Sequence, residues 1–373
     1  MKSFKAFVFL YFSGLGGFGI LGVLYLLEIG YSFTEISVLS SIFVIAIFVL
    51  ELPTGIVADI KGARYSILLS AVLRFITAIG YVYAAGSFTM LIVATLVGAV
   101  SESFISGALQ SEAISTGKRN QINEHQAIKF LTRYRLIGSI FGGSICYAVY
   151  QYNAASTWIV SGMLFILAYL VYVLSSRRHA NLVQHIKVKV PPIAEYKQVF
   201  YNLFNRAFFW AAVFKNIAAI APMILWQYIF NLLDFGILIG FIFYQIFALI
   251  ATTISNKKIF NNIYLFIVNA ILILLLGFFP QLGYIALLIF SLHVMLQVIQ
   301  NIIVESNFQK KISNKHRSSC GSLVSASDSL ISVPQYLAIG LLFDSEYYLY
   351  GLLISSFTTL LSGIFYTRSI VKR

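Results

Sequence analysis

ELPTGIVADIKGAR, residues 51–64, separates two long apolar runs and fixes how the rest of the chain is read. Pro53, Gly55, Asp59, Lys61, Gly62 and Arg64 crowd into this one stretch. Gly55 and Gly62 permit close backbone approach and dihedrals closed to other residues. Asp59 suits the positive N-terminal end of the helix that follows. The stretch reads as a basic turn between two membrane helices.

On either side of it, segments of about 20 apolar residues recur, the length that crosses a hydrocarbon core. The 373 residues are 59% hydrophobic and 10% charged, with a mean hydropathy of +0.86. Average soluble domains carry roughly 25% charged residues. The apolar runs predict helices over 4–27, 33–58, 65–85, 88–114, 125–149, 155–176, 207–231, 235–254, 261–279, 283–307, 318–342 and 346–367. The fold class expected is therefore all-α and integral to the membrane, with 12 transmembrane helices.

A net charge of +13 would suggest nucleic acid in a soluble protein, but the positions of the charges decide against it. Five basic residues, Arg74, Lys129, Arg133, Arg135 and Lys215, lie within spans. All others fall on the side of the two termini, and none in a loop on the opposite side. That positive-inside pattern predicts a multi-pass protein of the inner or plasma membrane with both termini cytoplasmic.

Residues 177–206, with Pro191-Pro192 and many basic residues, read as a cytoplasmic linker with a short interfacial helix after the prolines. It divides the chain into 1–176 and 207–373, six spans each. Ser32 and Glu35 make an S-x-x-E capping box for the second span. Gly14–Gly19, GLGGFG, has the spacing of a dinucleotide loop. No strand precedes it and it lies inside a span, so it reads as a small-residue packing face. Cys146 and Cys320 are far apart and suggest neither a disulfide nor a metal framework. The first apolar run is too long for a signal peptide and reads as a retained span. There is no G-x-x-x-x-G-K-[ST], H-E-x-x-H or G-x-S-x-G, so neither an ATP-driven pump nor an enzyme is expected, and no cofactor.

The spacing Gly55-x-x-x-Asp59-x-x-Gly62-x-Arg64 resembles the signature loop between helices 2 and 3 of the major facilitator superfamily (MFS) of transporters. Ile60 and Ala63 stand where that family usually has basic residues. The resemblance covers essentially the whole chain. It implies two pseudo-symmetric six-helix bundles around a central cavity that opens alternately to each side. It also implies that the loop residues, with Glu112, control closure at the inner face. Asp59 would approach the eleventh span near Ser318 and Ser319, and Arg64 would meet Glu112. The ELPTGIVAD version of the loop and the Glu112 region are similar to bacterial drug or small-molecule exporters. Gly138, Gly142 and Gly143 faintly resemble the exporter motif of helix 5, without its proline, and read mainly as a packing face.

Charges at bilayer depth must be paired, solvated or neutralised. Arg74, Arg133 and Arg135 have Glu102 as their obvious deep counterpart. One reading is a carboxylate for which a proton, an arginine and substrate compete; the other is a fixed ion pair holding helices together. Lys215 and Asp328, at similar depth, pose the same choice. Glu51 reads as a contact among helix ends. Trp226, Gln227, Tyr244, Gln245, His293, Gln297, Gln300 and Asn301 are candidate cavity residues, with Gln297, Gln300 and Asn301 on one stripe. The function expected is alternating access by a monomer, with proton-coupled export of an amphipathic or charged small molecule. Proton-symport import, Na⁺ in place of the proton, or a receptor or immunity protein without transport are the alternatives.

Overall fold

In the computed structural model one residue, Gly62, separates the helices joined by the basic turn, α2 (Phe33–Lys61) and α3 (Ala63–Val82). Its φ of +90° is open to glycine and closed to most other residues. The second and third spans are thus joined more tightly than predicted, since α2 runs on to Lys61 rather than ending near 58. The structure describes residues 2–83, 86–177, 201–232, 236–255, 262–312 and 317–371. The side chains of Leu52, Ile56, Asp59, Ser175, Ser176, Arg177, Leu232, Pro280, Arg317, Ser318, Ser319, Ser322 and Val371 lie outside the description, as does most of the 177–206 linker.

Every regular element among the described residues is an α-helix. The others are α1 (Lys2–Glu28), α4 (Phe88–Arg119), α5 (Glu124–Tyr150), α6 (Ala154–Arg177), α7 (Ala207–Ile217), α8 (Ile220–Leu232), α9 (Ile237–Ile254), α10 (Tyr264–Leu276), α11 (Phe279–Leu282), α12 (Ile285–Lys311), α13 (Arg317–Asp344) and α14 (Tyr348–Val371). Side chains start several of them. Ser87 accepts from the Met90 N–H ahead of α4, and Asn123 with Gln126 forms a full capping box on α5.

Ten segments among the described residues are long and apolar enough to cross a membrane, with α7 and α8 counted as one. α5, which opens on Glu124, Lys129, Arg133 and Arg135, and the 13-residue α10 supply the other two. α10 is about 20 Å long at 1.5 Å per residue. The run predicted over 261–279 is shorter because Gly277 ends α10 and Phe279–Leu282 forms a separate turn.

The predicted seventh span is broken at Ala218–Ala219. Pro222 is the cause: it has no N–H for the Ala218 carbonyl, and its ring crowds that carbonyl. Two backbone groups beside the break are met from other helices. Gln335 Nε2 donates to the Ile217 carbonyl and the Ala221 N–H donates to Ser355 Oγ, each at 3.3 Å. Gln335 Nε2 also reaches Ser355 Oγ at 3.3 Å. Two of the backbone groups at the break, the Ile217 carbonyl and the Ala221 N–H, are therefore served by side chains of other helices.

Two compact units result. One comprises residues 1–19, 42–200 and 313–326; the other comprises 20–41, 201–312 and 327–373. In the first, α3 packs along α4 and α6, and Phe7, Tyr11, Phe165 and Tyr172 fill the core. In the second, α10 packs along α12 and α14. That repeats the first pattern six spans later.

Candidate functional site

Arg74 in α3 and Glu102 in α4 form an ion pair, Arg74 Nη2 to Glu102 Oε2. The arginine side chain is 9% exposed and the carboxylate 35%. A run of hydroxyls flanks the pair. Ser101 Oγ spends its proton on the Ser70 carbonyl at 2.9 Å, so it accepts from Ser70 Oγ at 2.9 Å. Ser70 Oγ in turn accepts from the Tyr11 hydroxyl at 2.8 Å. The Tyr11 oxygen is thereby left as an acceptor beside the Arg74 guanidinium. Helices α1, α3 and α4 thus converge on one buried polar cluster. Arg133 and Arg135 are not in it: both are exposed on α5, and the Arg135 guanidinium covers the Phe12 ring at 4.5 Å.

Glu51, read from the sequence only as a helix-end contact, is fully buried. Its Oε1 accepts from Ser106 Oγ of α4 at 2.9 Å and from Ser325 Oγ of α13 at 2.6 Å. An acid inside the apolar second span was the available signal. Gly55 is buried one turn farther along α2.

The expected meeting of Arg64 and Glu112 is mediated by a third residue. Arg64 Nη2 donates to the Tyr172 carbonyl at 3.2 Å, and its guanidinium lies 4.6 Å from the Tyr172 ring centre. The Tyr172 hydroxyl donates to Glu112 at 3.3 Å. α6 packs along α3, which interposes Tyr172 between the two charges. The Asp59, Ser318 and Ser319 side chains lie outside the description, and so does the contact expected between them.

Lys215 does not take Asp328 as its ion-pair partner. Its Nζ lies 3.7 Å from Glu305 Oε2 of α12, with both side chains mostly buried. Asp328 accepts instead from the amide of the next residue, Asn216. Successive helix residues point about 100° apart, so Lys215 and Asn216 address different neighbours. Reversing both charges, Lys215→Glu with Glu305→Lys, should restore the thermal stability lost in either single variant. Equal loss in the double variant would remove this pair from the structure's support.

The cavity candidates divide. Trp226 and Tyr244 pack with Phe290 in an aromatic core, with ring centres 5.1 and 5.2 Å apart along the series. They are buried packing residues here. Gln227 Oε1 accepts the Leu24 N–H at 2.8 Å, and Gln245 is buried on α9. Gln300 leaves the stripe it shares with Gln297 and Asn301 and turns to α10. Its Nε2 donates to the Leu265 carbonyl at 3.3 Å, so its Oε1 accepts from Asn269 Nδ2 at 3.0 Å. Asn269 Oδ1 is then the acceptor for His293 Nδ1 at 2.8 Å. This relay fixes His293 in the tautomer protonated at Nδ1. Gln297 and Asn301 stay half-buried.

Comparisons with known proteins agree with this architecture. The family model described as Major Facilitator Superfamily matches residues 6–334. YxaM of Bacillus subtilis (strain 168), an uncharacterized MFS-type transporter, is 25% identical over 286 residues, 71% of this chain and 69% of its own. Among solved structures, a bacterial homologue of the iron transporter ferroportin in an outward-facing state superposes with a TM-score of 0.73 at 14% identity, covering 100% of this chain and 99% of the other. The fucose:proton symporter FucP of E. coli gives 0.68 at 15%, covering 99% and 98%. The nucleoside transporter NupG gives 0.68 at 13%, covering 99% of each chain. At these identities the structures speak to the fold alone, but the family match spans nearly the whole chain: this protein belongs to the major facilitator superfamily of membrane transporters.

Proposed function

We propose that the chain is a proton-coupled secondary transporter that works by alternating access as a monomer and exports an amphipathic or charged small molecule. The observation that carries this reading is the Arg74–Glu102 pair with its flanking hydroxyls. It places a carboxylate, a permanent cation and Tyr11 in one cluster inside the spans. A proton or an anionic group of the substrate can displace one partner of such a pair, and displacement converts binding into a change of helix contacts. The Lys215–Glu305 and Asn216–Asp328 contacts provide a second charged group for the same purpose. The reading keeps the boundaries 1–176, 177–206 and 207–373, and both termini in the cytoplasm.

Proton-symport import is the second reading, favoured by the likeness in fold to a structure described as a fucose:proton symporter. One experiment addresses both. In reconstituted vesicles, proton movement is followed as a panel of amphipathic, anionic and cationic compounds is added. Substrate-dependent flux should be present in the parent and lost in Glu102→Gln, and its sign separates export from import. Flux unchanged in Glu102→Gln would remove this carboxylate from coupling. Binding without movement of substrate or proton would favour a receptor.

A further inference from the structure

Two buried oxygens at the break in the seventh span have no donor among the described residues. The first is the Ala218 carbonyl. Pro222 has no N–H to give it, and no described residue donates in its place. The second is Gln335 Oε1. The Gln335 Nε2 lies 3.3 Å from the Ile217 carbonyl and 3.3 Å from Ser355 Oγ. A carbonyl demands a donor, so the amide cannot be turned over and Oε1 is the atom left out. That oxygen is buried without a hydrogen-bond partner. Buried acceptors of this kind call for an unseen water or ion.

The charge around the break favours a cation. Asp328, Ser332 and Gln335 stand at i, i+4 and i+7 on α13, which makes them one stripe. Its two ends meet consecutive residues of α7: Asn216 donates to Asp328, and the Ile217 carbonyl accepts from Gln335. Ser332 is buried between them and spends its proton on the Ser329 carbonyl at 2.9 Å, so its oxygen faces the break as an acceptor. Among the described residues no lysine or arginine forms an ion pair with Asp328, since Lys215 takes Glu305. The negative end of the α7 dipole adds to this field. The amide end of α8 opposes it only weakly, because Ser355 takes the Ala221 N–H and Pro222 has none.

We propose that the break in the seventh span is a sodium site, in which Gln335 Oε1, the Ala218 carbonyl and Ser332 Oγ ligate the ion and Asp328 supplies its countercharge. Carbonyl ends of interrupted membrane helices are suited to such ions. Neutral oxygens with a single carboxylate nearby fit a hard monovalent cation. A divalent ion would want more carboxylates, and a transition metal would want nitrogen or sulfur. The bound ion ties the end of α7 to α13 and stiffens the joint. The assignment holds whichever ion drives transport.

Thermal melting of the purified full-length protein tests this without a substrate. Sodium chloride is titrated against choline chloride at constant ionic strength, with potassium chloride as a second comparison. Sodium should raise the melting temperature saturably, by about 3 °C at ten times the half-saturating concentration. Potassium should raise it less. Gln335→Ala should abolish the rise. That variant also strands the Ile217 carbonyl, so Pro222→Ala guards against simple misfolding. It supplies an N–H to the Ala218 carbonyl, and should melt no lower than the parent in choline while losing the response to sodium. Equal melting of the parent in sodium and choline would overturn the site and leave a water on these oxygens. A sodium rise that survives in both Gln335→Ala and Pro222→Ala would put the ion elsewhere and overturn it too.

Discussion

Replacing Gly142 with alanine is expected to destabilise the protein more than any other single methyl group added to it. A Cβ at this position would sit 1.8 Å from the Ser13 carbonyl oxygen and 2.4 Å from Ser13 Cα. Those are backbone atoms, so no side-chain rotation relieves the overlap. The neighbours give no room either: a Cβ at Gly138 would lie 2.4 Å from the Phe9 carbonyl, and one at Gly16 would lie 2.5 Å from the Ser139 carbonyl. α1 and α5 thus touch backbone to backbone along glycines of both. Overpacking a core typically costs about 1–3 kcal/mol, and a clash with the main chain of a neighbouring helix belongs near the top of that range. Against a total stability of about 5–15 kcal/mol, that is a large share, and the variant should melt well below the parent and give a smaller monodisperse peak in detergent. Gly22→Ala is the matched control, since nothing lies within 4 Å of its added Cβ. A parent-like peak and melting temperature for Gly142→Ala would show that α1 and α5 do not pack this way.

The second large effect is expected at Arg74. Arg74→Leu strands the Glu102 carboxylate, and Glu102→Leu strands a guanidinium only 9% exposed. Removing one partner of a buried pair costs about 3–5 kcal/mol. Glu102 is partly open, so Arg74→Leu belongs near the lower end of that range and Glu102→Leu near the upper. The double variant Arg74→Leu with Glu102→Leu removes both charges and should melt above either single one. Thermal melting of the four proteins closes the cycle. Additive losses would mean the two groups do not interact, whatever transport then shows.

The twelve spans were legible because membrane insertion depends on summed hydropathy, and that sum survives any error at a single residue. The break at Ala218–Ala219 was missed for the same reason: hydropathy runs smoothly through a position where one hydrogen bond is lacking. Pro222 was its only local mark. Depth along a helix was also readable, which is why Lys215 and Asp328 looked like partners. Direction around the helix was not, and direction gave Lys215 to Glu305 and Asp328 to Asn216. Glu102 stood out in the sequence as a deep acid but was offered to Arg74, Arg133 and Arg135 alike; the packing of α3 along α4 gives it to Arg74. Tyr172 between Arg64 and Glu112 illustrates the limit. A third helix supplied the contact, and nothing in the spacing of the first two announced it.

The broken seventh span has a mechanical consequence. A continuous helix is a stiff rod, and a tilt imposed at one end arrives at the other. Here the rod is cut into lengths of about 16 and 20 Å at 1.5 Å per residue, and the joint is held by Gln335 of α13 and Ser355 of α14. A tilt of α8 is therefore expected to bear on α13 and α14 as well as on α7. The joint works as a universal coupling, with two polar side chains as its bearings.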